Sequence, residues 1–345
     1  MRYIYVMLLA VLFWGCQENE IVGDDSDLVW TIDTQFMRQG CYGGRDCIPS
    51  LENPDRSDIK GSDISFLDNE DLVVGIWNGS EHIAYPHSIL DWHEIVNEDG
   101  YTISYCPLTG SAIHIATPGD YGVSGLLYNS NLIMYDRETE SFWPQMLLKS
   151  AAGDRSGGEL HLNSVVETTW GNWKLLFPGT KVVNSNTGYS RNYSSYPYGN
   201  YKTCNSSSCG DYIYFPVVAE DDRLDAKKRV LTLINDGEAR AIDISAYPEP
   251  QILNLDIGEK SYVIAVSGND NIAVAFETVR NIGIKSWDMN AGELILEQIG
   301  TDNQWDITGT NLSDPAPSER LKAANGYIAY WFSVAAFYPD VEIIR

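Results

Sequence analysis

Apolar residues in this chain fall mostly into short alternating or continuous runs, separated by Asn-Gly, Asp-Gly and Gly-rich bends. The runs at 71–77 and 229–235 are each followed by a tight bend, Asn78-Gly79 or Asp236-Gly237, and then by another run, which reads as strand, turn, strand. Helical spacing is confined to brief segments. Within 88–97 the apolar side chains sit at Ile89, Trp92, Ile95 and Val96, fitting a short amphipathic helix. The aromatic-rich runs beginning at Trp170 and Trp331 stop at Pro178 and Pro339, because proline cannot continue a helix. The pattern predicts a mainly β fold, α+β with few short helices, and leaves open whether it closes as a barrel or a sandwich.

The same order of features occurs twice. The hairpin at 71–84 parallels 229–241, and the run Tyr101–Tyr105 parallels Tyr262–Val266. Trp143 answers to Trp305, and the closing run around Trp173 answers to that around Trp331. One such match is weak, because β-hairpins are common; four in the same order point to an internal duplication. The expected organisation is an N-terminal extension at 31–69, a first copy at 70–183, an excursion at 184–227 rich in Asn, Ser, Tyr and Gly, and a second copy at 228–345. Long ordered excursions are where sites tend to lie.

The first residues change the picture of where the chain works. Met1-Arg2 precedes an apolar run to Gly15 that is too brief to span a bilayer comfortably, so 1–15 reads as a secretory signal. Gly15-Cys16 resembles the lipobox of bacterial lipoproteins, in which the cysteine is acylated and becomes the new N-terminus. Phe13-Trp14 departs from the usual small residues there, and an uncleaved anchor gives nearly the same location. Residues 16–30 carry five acidic side chains and no basic one and lack apolar periodicity, as a solvated tether would. The expected location is the bacterial cell envelope, lipid-anchored at Cys16, on a periplasmic or surface-exposed face.

Lys and Arg number 23 against 48 Asp and Glu, a net charge of −25 that repels phosphate backbones and disfavours nucleic-acid partners. Export exposes thiols to oxidation. Cys41 and Cys47, and Cys204 and Cys209, are spaced to close small disulfide loops, which leaves Cys106 over.

Candidate chemistry gathers in the first copy. His93-Glu94 lacks the second histidine of a zinc-protease helix, position 97 being Asn97. Thr109 stands where a dithiol motif beginning at Cys106 would need its second cysteine. Cys106 with His93, and with His87 or His114, remains a candidate thiolate or soft-metal centre, copper for example; a buried structural cysteine and a core histidine account for the same residues. Tyr128, Asn129 and Ser130 can donate hydrogen bonds to a ligand or cap a turn, and Asp136 and Arg137 follow them. No phosphate-cradling loop, nucleophile elbow or dinucleotide fingerprint occurs.

Several strings carry a family resemblance: Gly44-Arg45-Asp46-Cys47-Ile48-Pro49, Trp92-His93-Glu94-Ile95-Val96-Asn97, Tyr105-Cys106-Pro107-Leu108, Ser124 through Trp143, and Tyr196-Pro197-Tyr198-Gly199-Asn200-Tyr201. Together with Thr168-Thr169-Trp170, Thr187-Gly188-Tyr189 and the closing Trp331 to Pro339, they resemble the bacterial family labelled domain of unknown function 3179 over roughly 35–345. Members of that family commonly carry a second cysteine where this chain has Thr109, which implies that thiol chemistry built on such a pair is lost here. The resemblance assigns no activity. The expectation is an exported envelope lipoprotein, non-catalytic or ligand-binding, with a polar site in the first copy that includes Glu94, Tyr128, Asn129 and Ser130. The alternative is a metal-binding or thiol-dependent enzyme centred on Cys106 and His93, with Asp136 and Arg137 as further candidates. The expected partners are the membrane through the lipid and a small molecule or another envelope protein.

Overall fold

The computed structural model describes residues 28–202, 212–313 and 320–345. Cys16, the expected signal and nearly all of the expected tether lie outside these residues, as does the expected Cys204–Cys209 pair. The described chain is β-rich, with six sheets, none closing into a barrel, and three short helices. None of those helices is long and apolar enough to cross a membrane.

Each half begins with a hairpin. Leu72–Trp77 pairs antiparallel with His82–Pro86, and Arg229–Asn235 with Glu238–Asp243. Each hairpin is widened on one side by an antiparallel strand, Val166–Thr169 or Gly326–Tyr330, and on the other by a parallel one, Lys181–Val183 or Glu342–Ile344. A seven-residue helix joins the two added strands, α2 (Trp170–Leu176) in the first half and α3 (Trp331–Phe337) in the second. (The remaining helix, α1, is His87–His93.) Both α2 and α3 end two residues before a proline, so the residue that precedes the proline, where α-helical backbone is disfavoured, lies just outside the helix. Phe177 and Tyr338 adopt nearly the same conformation there, φ −129°, ψ 73° and φ −133°, ψ 78°.

Between hairpin and helix each half folds two three-stranded meanders. The first half uses Ile95–Glu98, Tyr101–Cys106 and Ser111–Ile115, then Tyr121–Tyr128, Asn131–Asp136 and Ser141–Pro144. The second uses Gln251–Ile257, Lys260–Ser267 and Ile272–Glu277, then Ile282–Asp288, Glu293–Gln298 and Gln304–Asp306. Trp143 and Trp305 therefore lie in matching strands, as do Tyr101 to Tyr105 and Tyr262 to Val266.

The halves interlock. Along Leu72–Trp77, Val74 and Ile76 face a core with Ile89, Val96 and Ile103 of their own half, while Val73 faces Val263, Phe276 and Trp305 of the other. In return, Trp331 and Val334 of α3 share a core with Ile113, Met134 and Trp143. Leu72–Trp77 is buried on both faces, which is why it reads as continuously apolar rather than alternating. Gly75 is needed there for close approach: a Cβ at this position would lie 2.2 Å from the Trp173 ring.

The copies differ in two respects. After His82–Pro86 comes α1, whereas the second half has a single 3₁₀ turn, Ile244–Ala246. The helix is shorter than the 88–97 pattern suggests. Glu94 turns the chain out of it at φ +56°, and Ile95 and Val96 enter a strand instead, where alternation buries them against two different cores. The second difference is the excursion between the copies, which contains no helix or strand among its described residues.

Candidate functional site

Because α1 has no helical counterpart in the second copy, the side chains it carries have none either. His87 and Ser88 in its first turn line a cavity of about 280 Å³ where the two copies meet. Tyr105 and Gly110 join them from the adjoining meander, and Lys202 comes from the excursion. The second copy supplies Arg229 and Tyr330, cross-strand partners at the start of its hairpin sheet. The first copy's matching strand start supplies Glu70, Asp71 and Leu72. The match is set by two equivalent backbone bonds, Trp170 N to Asp71 O at 2.7 Å and Trp331 N to Lys228 O at 2.8 Å.

Two buried carboxylates stand behind the cations of the cavity wall. Glu167, in strand Val166–Thr169, accepts from Arg229 Nη2 through its Oε2 at 2.9 Å. His87 Nε2 lies 3.1 Å from the same oxygen, outside hydrogen-bond alignment. Asp91 accepts from Lys202 Nζ at 2.6 Å. Burial raises the Asp91 carboxyl above its ordinary range, and the Lys202 ammonium opposes that rise. Two side chains of the cavity lining keep a buried polar atom without a hydrogen-bond partner, His87 Nε2 and Ser88 Oγ, and three that stand behind the lining do the same, Asp91 Oδ1, Glu167 Oε1 and Tyr196 OH. Larger hollows of about 460 and 600 Å³ lie elsewhere, the first lined by Arg56 and Arg320.

The excursion docks over the site through its tyrosines. Tyr198 OH donates to Glu94 Oε1 at 2.8 Å and Tyr201 OH to Leu108 O at 2.9 Å, while Lys202 Nζ lies 4.2 Å from the Tyr196 ring centroid. Burial pushes Glu94 up to about 7, against the Tyr198 hydrogen bond. It pushes Tyr330 up to about 12 and Tyr105 well above the ordinary range, so both remain neutral hydroxyls.

The residues singled out from sequence are distributed differently. Cys106 is buried, burial pushes its thiol up to about 11, and Sγ lies 3.9 Å from Ser130 O. His93 has both ring nitrogens engaged, with Pro49 O at 2.9 Å and Tyr193 OH at 2.8 Å, and burial lowers it to about 4. His114 contacts Ser164 O and Asn163, and is likewise lowered to about 4. Cys106 is thus a buried thiol, and both ring nitrogens of His93 are already hydrogen-bonded. Among the described residues, no three His, Cys, Asp or Glu side chains converge as a metal site.

Asn129 and Ser130 form a turn at positive φ and hold the excursion rather than facing an open pocket. Asn129 Oδ1 accepts from Val218 N at 2.8 Å, and Ser130 Oγ donates to Phe215 O at 2.6 Å. Tyr128 packs edge-on against Phe337. Asp136 caps the turn after its strand by accepting from Glu138 N and Thr139 N. Arg137 pairs with Asp46 and Asp120 and lies against Tyr135. Cys41 and Cys47 are disulfide-bonded, closing the loop that presents Asp46.

Sequence reasoning selected His87 and Glu94 but passed over Asp91, Glu167, Lys202 and Arg229. The one local signal was Glu167, a carboxylate following Val165-Val166 in a strand-like run.

The profile of a family described as "Protein of unknown function (DUF3179)" matches residues 45–341. No curated protein and no solved structure matches the chain.

Proposed function

The chain belongs to the DUF3179 family, and from that premise and the seam cavity we propose that it is a lipid-anchored envelope protein that binds a small polar molecule between its two copies. The observation that carries the reading is that His87 Nε2 and Ser88 Oγ are buried in the lining of one cavity without a partner, beside the spare donors of Arg229 and Lys202. Leaving a buried donor or acceptor unpaired costs about 1–3 kcal/mol, so such atoms are rarely collected without a partner to meet them. The cavity is near the lower end of the roughly 300–1,000 Å³ typical of drug-sized ligands, which favours a small molecule. The address rests on the N-terminal residues: an apolar run ending at Gly15-Cys16 followed by an acidic tether.

The ligand half of the reading is tested by the thermal unfolding of residues 17–345 with a panel of small polar metabolites, beside Ser88→Trp, which fills the cavity. The reading requires a metabolite that raises the melting temperature of the natural chain and not of the variant. Equal shifts in both would place binding elsewhere. The address is tested by labelling expressing cells with radioactive palmitate, which should mark the natural chain and not Cys16→Ser.

A further inference from the structure

The geometry points to a zwitterion, a free α-amino acid or a molecule of that size carrying both a carboxylate and an ammonium, as the ligand of the seam cavity. This inference rests on the reading of that cavity as a ligand site. Its wall offers two opposed sets of groups. The first is a set of donors with capacity to spare. Arg229 gives only Nη2 to Glu167, and its Nε and Nη1 make no hydrogen bond among the described residues. Lys202 gives one of its three N–H donors to Asp91. The hydroxyls of Tyr105 and Tyr330 carry no hydrogen bond among the described residues, and the Ser88 hydroxyl is buried without a partner. The second set is acidic. Glu70 is exposed and Asp71 half-buried, whereas Tyr105 and Tyr330 are buried, so the carboxylates sit toward the mouth and the hydroxyls lie deeper.

Neither single charge fits this wall. The two cations are already balanced by Glu167 and Asp91, so a bare anion would enter past Glu70 and Asp71 with no net positive field to offset them. A bare cation would be welcome at the mouth but would leave the deeper donors unsatisfied. A molecule with its carboxylate on Arg229, Lys202 and the hydroxyls and its ammonium toward Asp71 and Glu70 satisfies both sets. Asp71 has an oxygen available for this, since only its Oδ2 is engaged, by Asp68 N. A guanidinium fork and a carboxylate form a strong charge-assisted pair, so the carboxylate end should dominate affinity.

The test is isothermal titration of residues 17–345 with each of the common L-amino acids and, for each, the matched acid lacking the amine and the matched amine lacking the carboxylate. The inference expects at least one amino acid to bind at least tenfold more tightly than both of its matched partners. Arg229→Met should weaken that binding by tenfold or more. Asp71→Asn, a change at a half-buried position that keeps the fold if Arg229→Met does not, should narrow the gap between the amino acid and its matched acid. An acid or amine binding as tightly as the amino acid overturns the inference and leaves the cavity as a site for that simpler class. Binding of other metabolites with no amino acid bound does the same. Failure of every small molecule to bind removes the underlying reading as well.

Discussion

Arg229, at the start of the second copy's hairpin, donates to Glu167 of the first copy at 2.9 Å, and Glu167 is almost wholly buried. The pair ties the two copies together beside the cavity. Removing one partner of a buried pair strands the other charge, at a cost of about 3–5 kcal/mol. Arg229→Ala is therefore expected to destabilise the chain by about 3 kcal/mol, read from the midpoint of urea unfolding, with Glu167→Gln costing less. An unchanged midpoint in Arg229→Ala would mean that the pair contributes nothing to holding the copies together.

The contact between Gly75 and Trp173 makes a second prediction. Trp173 is fully buried and donates Nε1–H to Thr180 Oγ1 at 2.9 Å, so its ring has little freedom to retreat from an added methyl. Gly75→Ala should cost about 1–3 kcal/mol, as overpacked cores do, and should alter the near-ultraviolet signal of the tryptophans. Stability at or above that of the natural chain would show that the ring is not confined as described.

Acid should destabilise the fold through two histidines. Burial holds His93 and His114 at about 4, so both stay neutral in the folded chain while the unfolded chain protonates them below about 6.5. The unfolded state then binds more protons, and stability falls as the pH drops from about 6.5 toward 4. Glu94 acts in the opposite sense. Held up to about 7 by burial, it keeps its proton in the folded chain where the unfolded chain loses it at about 4.5, and that contribution is lost as pH rises through 7. Urea midpoints across this range should show the natural chain losing stability relative to Glu94→Gln between pH 4.5 and 7; parallel curves would contradict the assignment.

Cys106 should behave as an inert core thiol. A pKa of about 11 and full burial leave almost no thiolate at neutral pH. Labelling with a disulfide reagent at pH 8 should be the same in the natural chain and in Cys106→Ser while both are folded, and should differ by one thiol in denaturant. Rapid labelling of Cys106 in the folded chain would reopen the thiol reading.

The strand-rich character of the fold was legible because it is written locally. Asn78-Gly79 and Asp236-Gly237 lie at the bends of the hairpins, and proline ends both α2 and α3. What could not be read is what depends on distant partners. Residues 88–97 have a helical pattern, yet α1 stops at His93, because Ile95 and Val96 find strand partners at Ser104 and Ile103. Glu167 and Arg229 are 62 residues apart, and Asp91 and Lys202 are 111 apart, so neither pair leaves a local pattern. Asn129 and Ser130 were visible as polar groups at a bend, but their partners lie in the excursion, more than eighty residues on. The cysteine and histidine proposed as a centre showed only their residue types, and residue type does not distinguish a ligand from a packed, hydrogen-bonded core group.

The most direct measurement is equilibrium dialysis of residues 17–345 against a complex mixture of small polar metabolites, with the enriched compounds identified by mass spectrometry beside Ser88→Trp and Arg229→Met. A ligand site at the seam requires at least one compound enriched by the natural chain and by neither variant. No enrichment by the natural chain, or equal enrichment by all three, would contradict a ligand site at the seam.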